Sequence, residues 1–292
     1  MFRASPLDGR VLVEIKQPTA AEGGLALIDQ IAAQREHLLL QAGLSSDKLL
    51  AGSVGVPAAV HPRTRRLSRI PNIRGIEELD FSGILTRKFD MPVSVENDVN
   101  LAALGEHWRG HRASSMVFLA LGTGIGMGVI LDGKLFRGAR GAAGEISALP
   151  IGGDAFAQDS LESGALENAV SGKAMMARYL GSGGRPGTKL TGLFVVPPSS
   201  APAPMLDEAG RLIALAILSV CAVIDPEKVV LGGSIGIRPE LLARTTHHLA
   251  RCMAVPPSCQ ISALGNRAGA LGAVRAARLL LADEYISACE TS

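Results

Sequence analysis

The chain has 292 residues, 47% of them apolar but only 3% aromatic, and its 29 basic side chains against 27 acidic ones leave a net charge of +2. That balance excludes a global field recruiting nucleic acid or anionic lipid, the lack of aromatics excludes a base-stacking surface, and the length predicts two lobes or one large α/β domain. Cys221, Cys252, Cys259 and Cys289 make no CxxC pair and have no His at ligand spacing, which excludes a zinc ribbon or disulfide framework and predicts buried or half-buried free thiols.

The opening MFRASPLDGR holds no apolar stretch of signal-peptide length, and the longest apolar runs, LIALAILSVCAVI among them, are too short to span a bilayer. A soluble, cytoplasmic protein is expected. RVLVEIK (10–16) alternates apolar and polar residues, as a half-buried strand does, and 25–44 places Ile28, Ile31 and Leu38 near helical spacing. The apolar stretch LLAGSVGVP (49–57) follows, then a short helix at 81–89, the strand MPVSVEN (91–97), and a helix over 99–108 entered just after Asp98. This alternation predicts a lobe built from βα units.

SMVFLAL (115–121) runs through GTGIGMG into MGVILDG, which predicts a strand pair whose turn brings backbone close to a ligand. The Gly-, Pro- and Ser-rich stretch 181–204 is expected to be a long mobile connection. Beyond it, 205–224 sets Leu206, Ala209, Ile213, Ala216, Ile217 and Val220 on one helical face, and DPEKVVLGGSIG (225–236) is a turn, a buried strand and a diglycine loop. GNRAGALGAVRAARLLLADEY predicts a last helix whose small residues permit close packing, and no repeat of solenoid period occurs.

Three glycine-marked turns follow apolar strands: Gly55, the run from Gly122 to Gly128, and Gly232 with Gly233. Glycines there let backbone N–H groups reach phosphate oxygens, and Thr123 adds a hydroxyl. No GK[ST] follows, which excludes a Walker A loop, and no acidic residue stands at the Rossmann distance. Asp98 has two readings: an N-cap for the helix it precedes, or a carboxylate at a strand end that takes the proton of a hydroxyl attacking a phosphoryl group. Glu145 and Glu167 are acceptors for sugar hydroxyls or ordinary solvated carboxylates.

ENDVNLAALGEHWRG followed by LALGTGIGMGVILDGKLFRGARGAAGEI resembles the signature region of the ROK family of sugar kinases and repressors. The likeness runs on through GALENAVSG, DPEKVVLGGSIG and AGALGAVRAA, and leftward through GVPAAVHPRTRRLSRIPNIRGI, so it covers nearly the whole chain. It implies an α/β, two-lobed actin-like ATPase (ribonuclease H-like) fold, N-terminally shortened, with sugar in the cleft and ATP between the lobes. The expected small lobe is 1–112, completed by 278–292, and the large lobe 113–277. Carried over by motif position, Asp98 is the general base; Asn97, Asn72, Glu145 and Glu167 are sugar ligands; Gly122, Thr123, Gly124 and Gly126 clamp phosphate; Gly232 and Gly233 form a nucleotide-side loop. ATP with Mg²⁺ as co-substrate, a sugar as acceptor and a homodimer are implied in the same way.

Two departures from the family pattern stand out. The family's AGE motif usually continues as GEIGH and is followed by CxCGxxGCLE, whose three Cys and His hold one zinc; here those positions are Ala148, Gln158, Ser160 and Ala165. Loss of all four ligands together predicts no structural zinc and leaves 150–163 as the expected least ordered part of the segment. Family kinases also carry a DxGGT phosphate loop, and none occurs in this sequence, so either the reading frame is longer or the protein is a catalytically silent sugar-binding or regulatory relative. The basic residues Arg63, Arg65, Arg66, Arg69 and Arg74 read as a solvated hairpin tip with no recognition helix, which argues against direct DNA binding.

Overall fold

Alternating strands and helices sort into two units in the computed structural model, which describes residues 1–6, 8–69, 75–77, 79–194 and 202–290. The first unit comprises Met1–Arg109, Arg137–Ala143 and Arg267–Ser292. It opens with the antiparallel pair β1 (Phe2–Ala4) and β2 (Val13–Ile15), followed by α1 (Gly24–Ala42), which ends at Gly43 in the left-handed conformation that glycine adopts without strain. Next, β3 (Gly52–Val56) lies parallel to β6 (Val93–Asn97). Between them come the hairpin β4 (Ala59–Val60) and β5 (Leu67–Ser68), then α2 (Phe81–Phe89), capped by the Asp80 carboxylate accepting the Gly83 N–H at 3.0 Å. Leu27, Ile28 and Ile31 of α1 share one core with Val56, Phe81, Leu85, Val93 and Val95.

The arginines at positions 63, 65, 66 and 69 are exposed, as expected of a hairpin tip, and His61 Nδ1 accepts the N–H groups of Arg63 and Thr64 to close the turn. Arg74 lies outside the described residues. Helix α3 (Asp98–Arg109) packs along the last helix, Ala268–Glu290, at very short range. A β-carbon on Gly105 would stand 2.2 Å from the Ala268 carbonyl oxygen, and one on Gly272 1.7 Å from that of Leu101. Only glycine lets these backbones approach so closely. Trp108 lies under the guanidinium groups of Arg109 and Arg278, 4.4 Å and 5.1 Å from the ring centroid.

The second unit, Gly110–Phe136 with Gly144–Asn266, is built on a five-stranded sheet. Strands β7 (Met116–Leu121), β8 (Ile125–Leu131) and β9 (Lys134–Phe136) form an antiparallel meander, so the two apolar runs joined by glycines are the hairpin the sequence predicts. After α4 (Gln158–Ser163), α5 (Ala165–Val170), α6 (Gly172–Gly181) and α7 (Pro202–Ile224) comes β10 (Lys228–Gly232), parallel to β7. The short helix α8 (Gly233–Gly236) and α9 (Pro239–Cys252) lead to β11 (Ser258–Ile261), parallel to β10 on its other side. The six residues expected on the inner face of α7 are all buried, packed with Val117, Leu119, Val129 and Leu231 of the sheet and Leu241 of α9.

Three expectations need correction. Gly55 is no turn residue: it lies inside β3 opposite Glu96, where a β-carbon would come within 2.9 Å of Leu101 Cδ1, so it is there to let α3 approach. The stretch 181–204 is not simply a loose connection, since Leu190–Leu193 forms a 3-10 turn that buries Leu193 and Phe194 in the core; 195–201 lie outside the described residues. Of the four free thiols, Cys221 is buried and Cys259 half-buried, but Cys252 and Cys289 are exposed. Burial pushes the Cys259 thiol up to about 11, which keeps it protonated and unreactive. Among the described residues no helix is long and apolar enough to cross a membrane.

Candidate active site

In the first unit the chemistry gathers where β6 gives way to α3. The Asn97 side-chain oxygen accepts the N–H groups of Val99 at 2.9 Å and Asn100 at 3.0 Å, so Asn97 caps the helix. The capping reading of Asp98 is therefore wrong by one residue: ENDVN offers adjacent side chains able to cap, and the geometry of the strand end selects Asn97. Its Nδ2 donates to the Ala58 carbonyl at 3.1 Å, which orients the amide and leaves one Nδ2 proton for a ligand hydroxyl. Asp98 itself is reached by solvent yet has enough protein around it that desolvation raises its pKa above the ordinary carboxylate value, against the opposing pull of the Val99 and Asp98 N–H groups. A carboxylate in this state binds a proton more readily than a fully solvated one.

Sequence reasoning missed Glu96. It is buried, 5% exposed, on the face of β6 opposite the Val93 and Val95 core. Its Oε1 accepts from the Asn97 N–H and from Asn100 Nδ2, both at 2.9 Å, and Oε2 accepts from Arg137 Nε at 2.6 Å. The signal was present: an acidic residue inside a strand, directly after the alternating valines Val93 and Val95, is either paired or costly when buried. What the sequence could not supply was its partner 41 positions away.

In the second unit the turn joining β7 to β8 is fixed from below. Gly122 N–H donates to the Gly124 carbonyl at 2.9 Å, and the Gly172 N–H donates to the Gly122 carbonyl at 2.7 Å. The Ile125 N–H donates to Glu167 Oε2 at 2.9 Å, and a β-carbon on Gly124 would lie 2.7 Å from that same oxygen. Thr123 is exposed at the apex, and no hydrogen-bond partner for the N–H groups of Thr123 and Gly124 is found among the described residues. Gly126 continues β8 opposite Ala120. The diglycine comes alongside: a β-carbon on Gly122 would be 3.5 Å from Ser234 Oγ, the residue after Gly233.

The two glycines of that loop differ. Gly232 is buried where a β-carbon would meet the Phe118 ring at 2.1 Å, whereas Gly233 is exposed with φ +79°, in the left-handed region. Backbone N–H groups without a partner among the described residues, beside the exposed Gly233, are the kind of donor that receives phosphate oxygens. Glu145 is half-buried at the start of the 3-10 turn Ile146–Ala148, behind Gly144, whose carbonyl accepts the Met127 N–H at 3.2 Å. Asn72 lies outside the described residues.

The four replaced ligand positions sit in a segment closed by packing and hydrogen bonds. Ala165 is buried, Gln158 Nε2 donates to Glu162 at 2.8 Å, and the Gly164 N–H donates to the Ser160 carbonyl at 2.8 Å. Gly164, at φ +95°, lies so near the chain at Ser147 and Ala148 that a β-carbon would stand 2.2 Å from the Ser147 carbonyl oxygen. The end of the stretch expected to be loosest, 158–163, is the helix α4, tied to α5 by Asn168 Nδ2 donating to the Asp159 carbonyl at 2.8 Å. Among the described residues no three His, Cys, Asp or Glu side chains come together in a way that could hold a metal.

An α/β chain with a carboxylate at a strand end in one unit and paired glycine turns in the other has the actin-like ATPase fold. The chain belongs to the ROK family, whose model matches residues 17–279. It is similar to a glucokinase of Halalkalibacterium halodurans, 28% identical over 90% of this chain and 87% of that protein. It also resembles a xylose repressor of Caldicellulosiruptor bescii, 34% identical over 131 residues, which are 44% of this chain and 33% of the repressor. Among solved structures, a ROK hexokinase of Thermus thermophilus is 29% identical, with a TM-score of 0.79 over 95% of this chain and 94% of that one. A ROK glucokinase of Streptomyces griseus, in complex with glucose and AMPPNP, shares the fold with a TM-score of 0.74 at 23% identity over 93% of each chain.

Proposed function

We propose that this chain is a sugar kinase that transfers the γ-phosphoryl group of ATP to a hydroxyl of a hexose or N-acylhexosamine, with Asp98 as general base. The observation that carries the reading is the division of labour at the β6–α3 junction: Asn97 takes the capping bonds, and the neighbouring carboxylate is exposed, pairs with no side chain among the described residues and has a raised proton affinity. Asp98 accepts the proton of the sugar hydroxyl as its oxygen forms a bond to the γ-phosphorus, while the bond to the ADP oxygen breaks. Asn97, through its remaining Nδ2 proton, and Glu145 and Glu167, as acceptors, orient the sugar. The N–H groups of Thr123 and Gly124, with Gly233, receive the phosphates. Mg²⁺ accompanies the nucleotide and offsets its charge.

A panel of hexoses and N-acylhexosamines with ATP, run on wild type and Asp98→Asn, tests the reading. Turnover by wild type and loss of roughly 100-fold or more in the variant are expected, with sugar binding retained. Absence of ATP-dependent turnover alongside saturable sugar binding would instead favour the second reading, a silent sugar-binding regulator. The likeness to a repressor speaks for it.

A further inference from the structure

Neither Glu96 nor Arg137 is assigned above to sugar or nucleotide, yet Glu96 holds the backbone of Asn97, the residue beside the proposed base, and Arg137 holds Glu96. Three donors meet on the Glu96 carboxylate: the backbone N–H of Asn97, the side-chain amide of Asn100 and the guanidinium Nε of Arg137. The first two bracket Asp98, one residue before it and two after. Asp98 has no side-chain partner among the described residues, so its direction follows the backbone of the junction, and that backbone is held by Glu96.

Arg137 completes the arrangement from a separate piece of chain. The segment Arg137–Ala143 belongs to the first unit, although the residues on either side of it belong to the second. It closes on itself through the Ala143 N–H donating to the Arg137 carbonyl at 3.1 Å, and seats Gly141, φ +77°, where a β-carbon would be 2.0 Å from the Val60 carbonyl oxygen. Without Arg137 the buried Glu96 carboxylate would lose the cationic partner it has among the described residues, and an uncompensated buried charge is driven toward solvent. That shift would pull on the Asn97 N–H and on Asn100 together.

We propose that Arg137 and Glu96 are positioning residues that hold the Asn97–Asp98 junction in its reactive geometry; the proposal rests on the sugar kinase reading of Asp98. Displacement of a catalytic group by about 1 Å costs on the order of 100-fold in rate. Arg137→Ala is therefore expected to lower kcat roughly 10- to 100-fold while the sugar KM stays within about threefold. Arg137→Lys, which keeps the charge but not the planar Nε donor, should recover part of the loss. A purely structural role would lower the melting temperature and leave kcat per folded molecule unchanged.

Hydrogen exchange over residues 97–100 supplies a readout independent of activity. Faster exchange there in Arg137→Ala, with the rest of α3 unchanged, supports the proposal; wild-type exchange and a kcat within twofold of wild type overturn it. If the wild-type chain transfers no phosphoryl group to any sugar, the kinase reading fails by itself, and exchange at 97–100 alone decides whether the pair holds the junction.

Discussion

Glu167 and Ile125 are joined by a hydrogen bond of 2.9 Å, the backbone N–H at the start of β8 donating to the carboxylate. With the Glu167 carboxylate lying 2.7 Å from where a β-carbon on Gly124 would stand and Gly122 held by the Gly172 N–H, the turn proposed to receive phosphate is clamped from α5 and the start of α6. Glu167 thus has work to do before any sugar arrives. Glu167→Ala leaves the Ile125 N–H without its acceptor, a loss of about 1–3 kcal/mol if the group stays dry. Nucleotide affinity, measured by calorimetry with AMPPNP, should fall at least tenfold in Glu167→Ala and stay within about threefold in Glu167→Gln, which keeps an acceptor oxygen. Wild-type affinity in both variants would show that the carboxylate does not hold the turn.

The raised pKa of Asp98 gives the kinetics a direction. A general base must be ionised, so kcat/KM should fall with unit slope as pH drops through the Asp98 pKa, and that limb should lie above the ordinary aspartate range. A pH–rate profile with no acid limb above that range would remove Asp98 as the base.

Stability should move the opposite way from activity. Because the folded-state pKa is raised, the contribution of Asp98 to stability is fully present below its unfolded-state value and is lost as pH rises through the folded-state value. At neutral pH Asp98→Asn removes that penalty, so its melting temperature should equal or exceed that of wild type, and the advantage should vanish in acid. A variant clearly less stable than wild type at neutral pH would contradict the desolvation account.

The contact between α3 and the last helix makes a sharp comparison among glycines. Gly105→Ala and Gly272→Ala drive a β-carbon into a carbonyl oxygen and should each destabilise the chain by about 1–3 kcal/mol, despite the better helix propensity of Ala. Gly269→Ala, whose β-carbon would meet nothing nearer than the Asp98 carbonyl oxygen at 3.8 Å, should be neutral or slightly stabilising. Urea midpoints of the three variants test this, and equal midpoints would refute it.

The segment between Glu145 and Glu167 is expected to stand without metal. Chelator should leave the melting temperature unchanged, whereas Gly164→Ala, forced into a left-handed conformation and against the Ser147 carbonyl, should lower it by several degrees. A marked fall with chelator would show that a metal is bound.

The parts of the fold written in local pattern were readable. The inner face of α7 follows from helical spacing alone, and the β7–β8 hairpin follows from two apolar runs meeting at glycines. Asp98 was located as a candidate base, but its neighbour's capping was not, because side chains that compete for the same N–H groups are separated only by the exact direction in which the strand ends. Arg137 was out of reach for another reason: its bond to Glu96 depends on a short segment returning to the first unit, and no local periodicity encodes that return. Gly55 looked like a turn because glycine has the same letter whether it bends a chain or makes room for one.

The close seating of the last helix on α3 also bears on the order in which the chain can mature. The second unit ends at Asn266 and has its sheet and covering helices in hand once that residue is made. The first unit begins the chain, but α3 must wait for Ala268–Glu290 to be synthesised before its glycine-lined face is covered. Closure of the first unit therefore depends on a contact formed across more than half of the sequence, and α3 stays without its cover until the last helix is available.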